Sequence, residues 1–169
     1  MTDQGLHLRR LILAAMFAAI ATVLGPLSIP LPLGPRVFPL QHTVNAIAGV
    51  LLGPWYAAGA ALVAAILRNA LHTGTVFAFP GSPFGAIVVG YAYRWLRNDA
   101  AAVFEPLGTG PIGATLAVLL VGPLVGKHPA FWAFQVAFLE ASIPGAILGY
   151  VALRVLRPAL HMAKVDARA

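Results

Sequence analysis

The chain has 169 residues, of which 60% are apolar and only 9% are charged, a balance far from that of a soluble globular domain. Together with a strongly positive mean hydropathy, this composition predicts a single membrane domain spanning residues 1–169. The net charge of +6 does not indicate nucleic-acid binding, because the eleven Lys and Arg residues stand at the ends of hydrophobic runs. The absence of cysteine excludes disulfides and thiolate metal sites.

Six hydrophobic runs follow one another along the chain, separated by Gly-Pro pairs and polar clusters. We predict an all-α integral membrane protein with six transmembrane helices, at about residues 11–29, 42–53, 55–71, 82–97, 111–126 and 130–156. The second run is short for a span of about 20 residues, so the second and third runs are expected to form a tight hairpin or a partly broken pair. The first run also fits a signal peptide, but further apolar runs follow it, which favours a retained helix.

The basic residues predict the orientation, since positive charge is enriched in cytoplasmic loops. With both termini in the cytoplasm, Arg36, Arg68 and Lys127 lie on the outer side. Eight basic residues then lie on the inner side: Arg9, Arg10, Arg94, Arg97, Arg154, Arg157, Lys164 and Arg168. We therefore expect cytoplasmic termini and a multi-pass protein of the cell membrane.

Polar side chains inside the apolar runs gather on the outer side, although such residues are costly in a membrane and by default mark function or helix contact. Gln41, His42 and Asn45 project from one face of the second helix because of their helical spacing. A similar cluster ends the third helix. We predict an outward-facing pocket with amides and imidazoles as hydrogen-bonding groups and aromatic rings as walls. Its candidate residues are Phe38, Gln41, His42, Asn45, Arg68, Asn69, His72, Thr75, Phe77, Phe79, Trp132, Gln135 and Glu140.

Each candidate also has a simpler interpretation. The two histidines fit interfacial positions wetted by lipid headgroups, and Asn45 and Gln135 fit interhelical hydrogen bonds. Arg68 fits a side chain that snorkels to the outer headgroups or pairs with Glu140. The phenylalanines fit the outer aromatic belt. The shared depth of these residues, more than any one of them, favours a pocket.

Small residues form a face on the first helix. Ala14 and Ala18, like Ala15 and Ala19, are four residues apart, a spacing that permits close approach of another helix. The partner is either a neighbouring helix of the same chain or another protein.

The chain has no G-x-x-x-x-G-K-[ST] motif and neither H-E-x-x-H nor G-x-S-x-G, so neither a P-loop ATPase nor a protease is expected. No metal or cofactor is expected either. A pocket without an energy source implies downhill or ion-coupled movement, or an ATPase on another subunit.

Several stretches, in their order and spacing, resemble the ThiW family, the thiazole-specific S components of energy-coupling factor (ECF) transporters. They are FPLQHTVN at 38–45, AGVLLGPWY at 48–56, RN at 68–69, GTVFAFPGSP at 74–83 and YR at 93–94. The resemblance implies a six-helix S-component fold that captures the thiamin precursor hydroxyethyl-methylthiazole from outside. It also implies as partners two cytoplasmic ATPases and a transmembrane coupling subunit, which docks on Ala14, Ala15, Ala18 and Ala19.

We therefore expect a substrate-binding transport subunit and not an enzyme. A flat thiazole alcohol needs a stacking surface, a donor for its ring nitrogen and a partner for its hydroxyl, which aromatic, Gln, His and Asn side chains supply. A phosphorylated thiazole would favour Arg36 and Arg68 as a clamp. The neutral alcohol ranks first because a charged ligand makes movement through lipid costlier.

Three alternatives stay open. One is an S component for another thiamin-related heterocycle. The second is a self-sufficient carrier in which Glu140 takes up a proton. The third is an intramembrane enzyme with His42 and His72 as metal ligands or bases, and the lack of a carboxylate in either His-bearing sequence cluster counts against it.

Overall fold

The structure is a computed structural model that describes residues 3–30 and 36–162. Across these residues the chain forms six helical segments and one short pair of strands. The helices are α1 (Asp3–Leu24), α2 (Leu40–Leu52), α3 (Pro54–Ala70), α4 (Ala78–Leu96), α5 (Asp99–Leu124) and α6 (Phe131–Met162). Between α1 and α2, β1 (Ile29–Pro30) pairs antiparallel with β2 (Arg36–Val37). Lys164, Arg168 and the side chain of Arg36, which the sequence assigns to the two membrane faces, lie outside the described residues.

The turn between α2 and α3 is as short as a helix pair permits, because only Gly53 separates them. Gly53 has a φ of +81°, a conformation that strains any residue with a side chain. Pro54 follows at the first position of α3, where its missing N–H would have no partner in any case. Gly90 of α4 packs directly on this turn, and a Cβ there would stand 2.4 Å from the Pro54 nitrogen.

The helix α5 is irregular and longer than the sequence predicts. It starts as a 3-10 helix at Asp99–Phe104, makes one α-helical turn and then widens into π-helix at Gly108–Ala114 and Ala117–Val121. The prediction placed the residues before 111 in a connection, because Asn, Asp, Glu, Pro and Gly crowd there. The structure makes them helical, since the Asn98 side chain caps the first turn by accepting a hydrogen bond from Ala100 N–H at 2.8 Å.

Three helical stretches within the described ranges are long and apolar enough to cross a membrane: Asp3–Leu24, Asp99–Leu124 and Phe131–Pro158. Large apolar side chains cover their outer faces, including Leu11, Val23, Leu120, Leu124, Ile147 and Val155. Lipid tails are as apolar as these side chains, so such a surface is stable in a bilayer and not in water.

The core of the bundle consists mainly of alanine, which lets helix backbones approach closely. Leu153, Val50 and Val89 fill the larger spaces between these alanines. The core alanines of α2 to α5 are Ala46, Ala48, Ala57, Ala60, Ala61, Ala86, Ala101 and Ala102. This close packing places the start of α2 against α4, α5 and α6, where the polar residues predicted from the sequence lie.

Candidate substrate-binding site

A cavity of about 520 Å³ lies at one end of the bundle. The beginnings of α2, α4 and α6 surround it, together with the segments that precede α2 and follow α3. Its size is within the usual range of small-molecule sites. Its lining is mostly apolar with a few polar groups: Val37, Phe38, Gln41, His42, Arg68, His72, Thr73, Gly74, Thr75, Ala78, Gly81, Ser82, Ala137, Phe138, Glu140 and Ala141.

The structure brings seven of the predicted site residues to this cavity: Phe38, Gln41, His42, Arg68, His72, Thr75 and Glu140. The segment after α3 turns back on itself because the N–H groups of Thr73 and Gly74 both donate to Arg68 O, at 2.8 and 3.0 Å. In this turn His72 has a φ of +58°, an uncommon value for a residue with a side chain. Such local strain is more frequent at binding sites than elsewhere.

Three predicted site residues are not among the lining residues and hold neighbouring segments together by hydrogen bonds. Asn45 donates to Ser82 O at 3.3 Å and so joins α2 to α4. Gln135 donates to the Thr115 hydroxyl at 3.0 Å and joins α6 to α5. Asn69 donates to the carbonyls of Ala65 and Thr75 and secures the turn after α3. The interhelical interpretation of Asn45 and Gln135 therefore matches their contacts.

The other predicted aromatic residues do not line the cavity either. Phe77 packs edge-on against Phe134, with 5.0 Å between ring centroids. Trp132 is 76% exposed and packs against Phe131 on the outside of the bundle. Phe79 lies in the first turn of α4 and is not among the lining residues. Phe138, which the sequence analysis did not select, supplies the second cavity ring beside Phe38.

Arg68 is turned inward, with only 7% of its surface exposed. Its Nη1 donates to Gln41 Oε1 and its Nη2 donates to Thr73 O at 3.0 Å. Among the residues described, Arg68 makes no ion pair with Glu140. The pairing with Glu140 is therefore wrong, and the contacts that Arg68 makes are with the protein.

Directly beneath the cavity lies Glu105, a carboxylate that the sequence analysis missed. It is fully buried, and its Oε1 is 2.9 Å from His42 Nδ1 and 2.7 Å from the Thr109 hydroxyl, which donates to it. The sequence clusters around the histidines contain no carboxylate, but the fold brings Glu105 to His42 from a distant part of the chain. The helical spacing of Glu105 and Thr109, next to Gly108, was the signal that could have indicated a buried polar pair.

His72 and Glu140, the other ionisable groups named at the cavity, form no cluster of metal-ligating side chains with His42. No group of three or more His, Cys, Asp or Glu side chains that could hold a metal occurs in residues 3–30 and 36–162. Two phenyl rings, two imidazoles, an amide, hydroxyls, one guanidinium and one carboxylate surround a mostly apolar space, which suits a small molecule with a few polar groups.

The four alanines of α1 divide into two faces. Ala14 and Ala18 are buried in the core of the chain itself. Ala15 and Ala19 are exposed on the outside of the bundle, among large apolar side chains. Only the second pair is accessible to another protein.

Apolar helices around a small-molecule cavity define a membrane protein of the solute-binding kind, and comparison with known proteins gives its family. The sequence profile of the thiamine-precursor transporter protein family, ThiW, matches residues 11–159. The chain therefore belongs to the ThiW family, which is a family of transporters and not of enzymes. No curated protein sequence matches the chain.

The fold is similar to that of a solved S component for biotin from an ECF-type ABC transporter. The TM-score is 0.64 at 20% sequence identity, and the match covers 94% of this chain and 95% of the other. Similarity at this identity shows the fold alone, so the chain has the S-component fold. The resemblance seen in the sequence is confirmed at the level of family and fold.

Proposed function

We propose that the chain is the substrate-binding S component of an ECF-type importer and captures hydroxyethyl-methylthiazole from outside for ATP-driven uptake. The observation that carries the proposal is the cavity of about 520 Å³, which stands in a chain with the S-component fold and belongs to a thiamine-precursor transporter family. A thiazole ring fits between Phe38 and Phe138, since offset or edge contacts between aromatic rings are favourable. His72 and Glu140 offer partners for the ring nitrogen and the hydroxyl.

The contacts of Arg68 support the neutral alcohol over a phosphorylated thiazole. A phosphate is bound best by a guanidinium that can offer two parallel N–H groups. Here Nη1 and Nη2 of Arg68 each use one N–H, to Gln41 and Thr73, and the Nε edge is buried beside Gly25. The Glu140 carboxylate, which lines the same cavity, would also repel a phosphate because both carry negative charge.

In this proposal all six helices cross the cell membrane, both termini are cytoplasmic and the cavity opens outward. The coupling subunit docks on the exposed face of α1 around Ala15 and Ala19, and two cytoplasmic ATPases supply the energy. Small exposed residues between large apolar ones let a partner helix approach closely in the bilayer. Ala14 and Ala18, which face the core of the chain, take no part in this contact.

Calorimetry on the purified chain in lipid nanodiscs tests the proposal. Titration with hydroxyethyl-methylthiazole should give a Kd of about 1 μM or tighter, equivalent to roughly 8 kcal/mol. Biotin, the ligand named for the solved S component, serves as the control and should not bind. Thiazole binding no tighter than about 1 mM, roughly 4 kcal/mol, would reject this substrate.

A second candidate is a self-sufficient carrier driven by protons, and one observation favours it. Glu140 lines the cavity and has no hydrogen bond or ion pair with another described residue. A membrane carboxylate without a fixed partner is a common proton carrier. Thiazole uptake into ATP-free liposomes under a pH gradient, lost in Glu140→Gln, would establish the carrier, whereas an isolated S component should give no uptake.

A further inference from the structure

Four side chains form a continuous line of hydrogen bonds from the cavity wall into the core, and we call them the polar chain: Arg68, Gln41, His42 and Glu105. Arg68 Nη1 donates to Gln41 Oε1. Gln41 Nε2 is 3.0 Å from His42 Nε2, and His42 Nδ1 is 2.9 Å from Glu105 Oε1. Arg68, His42 and Glu105 are all buried, so bulk water screens this line less than it would an exposed one.

The direction of every bond in the polar chain follows from its first member. A guanidinium only donates, so the oxygen of Gln41 faces Arg68 and the NH₂ group of Gln41 faces His42. His42 Nε2 must then accept, and a neutral imidazole carries its one proton on Nδ1, from which it donates to Glu105. Between these two partners the imidazole accepts at one ring nitrogen and donates from the other.

The two ends of the polar chain carry opposite charges. Glu105 Oε1 accepts hydrogen bonds from both His42 and Thr109, and we take Glu105 as the carboxylate that balances the guanidinium of Arg68. Arg68 Nε and Glu105 Oε2, at opposite ends, are buried without hydrogen-bond partners among the residues described. A buried charge that lacks a hydrogen-bond partner for one of its polar atoms destabilises the fold when it stands alone. The opposite charge at the other end of the polar chain therefore stabilises it, across the two neutral side chains between them.

We propose that Glu105 is a specificity-determining residue that acts through His42 and makes the cavity select an uncharged ligand over its phosphate ester. By compensating Arg68, Glu105 removes the positive potential that would otherwise attract an anion into the cavity. Its carboxylate and that of Glu140 together outnumber the one guanidinium at the site. This inference rests on the proposed function, because it deepens the specificity of the same cavity.

The charge of Glu105 can be removed without removing its hydrogen bonds. In Glu105→Gln the amide oxygen can still accept from His42 Nδ1 and from the Thr109 hydroxyl. Calorimetry on the full chain in nanodiscs would measure hydroxyethyl-methylthiazole and its phosphate ester. We expect the alcohol to bind within about threefold of wild type and the ester to bind on the order of tenfold tighter, the size of one uncompensated charge at a partly screened distance.

Thr109→Val is the matched control, since it removes a hydrogen bond to the same oxygen of Glu105 and leaves the charge. It should leave the ratio of the two dissociation constants unchanged. If wild type binds the alcohol but Glu105→Gln leaves this ratio unchanged as well, the inference is wrong and the proposed function stands. If wild type binds neither compound, the proposed function fails and the inference fails with it.

The double variant Arg68→Gln/Glu105→Gln covers the case in which Glu105→Gln is too unstable for calorimetry. Removing both charges should restore a folded chain with a melting temperature above that of either single variant. A double variant no more stable than the single ones would show that Glu105 does not compensate Arg68, and would overturn the inference.

Discussion

The two ends of the bundle hold buried opposite charges in different ways. At the cavity end, Gln41 and His42 separate Arg68 from Glu105. At the other end, Arg157 of α6 lies about 25 Å along the helix from Glu140, at 1.5 Å per residue. Arg157 contacts Asp99 directly through two hydrogen bonds, one of them 2.9 Å from Nε to Oδ2. Arg157 also donates to the Tyr93 hydroxyl at 3.2 Å.

The difference indicates that the direct pair is a structural contact and that the separated pair belongs to the binding site. The direct pair joins α6 to the start of α5 and the end of α4, and it leaves no space between the charges. The separated pair spreads its charges over four side chains, and the neutral members between them also form part of the cavity lining. We expect the first arrangement to affect mainly stability and the second mainly binding.

The largest expected effect is the loss of the direct pair. Asp99→Ala removes the carboxylate that Arg157 contacts, and breaking this partly buried pair on one side costs about 2 to 3 kcal/mol, less than for a fully buried pair. A thermal melt in detergent should show this loss of stability, while thiazole affinity of the chain that stays folded should be unchanged. Arg154→Ala, an exposed cation one turn away, should change stability by less than about 0.5 kcal/mol. Equal melting temperatures for the two variants would contradict the structural role of the pair.

Gly85→Ala should have the next largest effect, and at the other end of the bundle. A Cβ at Gly85 would stand 2.4 Å from Glu105 Oε1 and 2.5 Å from the Thr109 hydroxyl oxygen. The displaced carboxylate would lose His42, at a cost of about 1 to 3 kcal/mol for overpacking. Calorimetry should show weaker thiazole binding. Gly59→Ala is the control, because nothing lies within 4 Å of its new Cβ; a loss of affinity there too would argue against a local effect.

His72→Ala should weaken binding without destabilising the bundle. His72 lines the cavity but lies in the turn after α3, outside the core. Losing one hydrogen bond to a neutral ligand costs about 1 kcal/mol, a factor of about five in Kd. His128→Ala, in the exposed connection before α6, should leave Kd unchanged. An unaltered Kd in His72→Ala would remove this imidazole from the ligand contacts.

The smallest effect on the chain itself is expected for Ala15→Leu, which should leave both melting temperature and thiazole affinity at wild-type values. The effect should appear only in the assembled transporter, where the larger side chain prevents docking of the coupling subunit and so blocks ATP-dependent uptake by cells. Ala14→Leu reverses the pattern, since Ala14 is buried in the core, and overpacking there destabilises the isolated chain. Normal uptake by Ala15→Leu cells would place the docking surface elsewhere.

The spacing of polar residues along the sequence predicted which side chains share a face of one helix. It did not predict the contacts between different helices. Gln41, His42 and Arg68 were found because polar residues at helical spacing in an apolar run share a face. Glu105 was missed because its contact with His42 depends on the absence of a side chain at Gly85 and on the helical state of residues that resemble a loop in sequence. The small-residue spacing of α1 likewise could not tell which alanines face inward, since both pairs have the same period.

The alanine core has a further consequence for how the protein responds to its ligand. Alanine has no side-chain rotamers, so these helix contacts have no side-chain entropy to lose or regain. At the alanine contacts, therefore, a change between the helices requires the helices themselves to move. We expect part of the response to a ligand to appear as displacement of whole helices, which distances between spin labels on α1 and α6 would report.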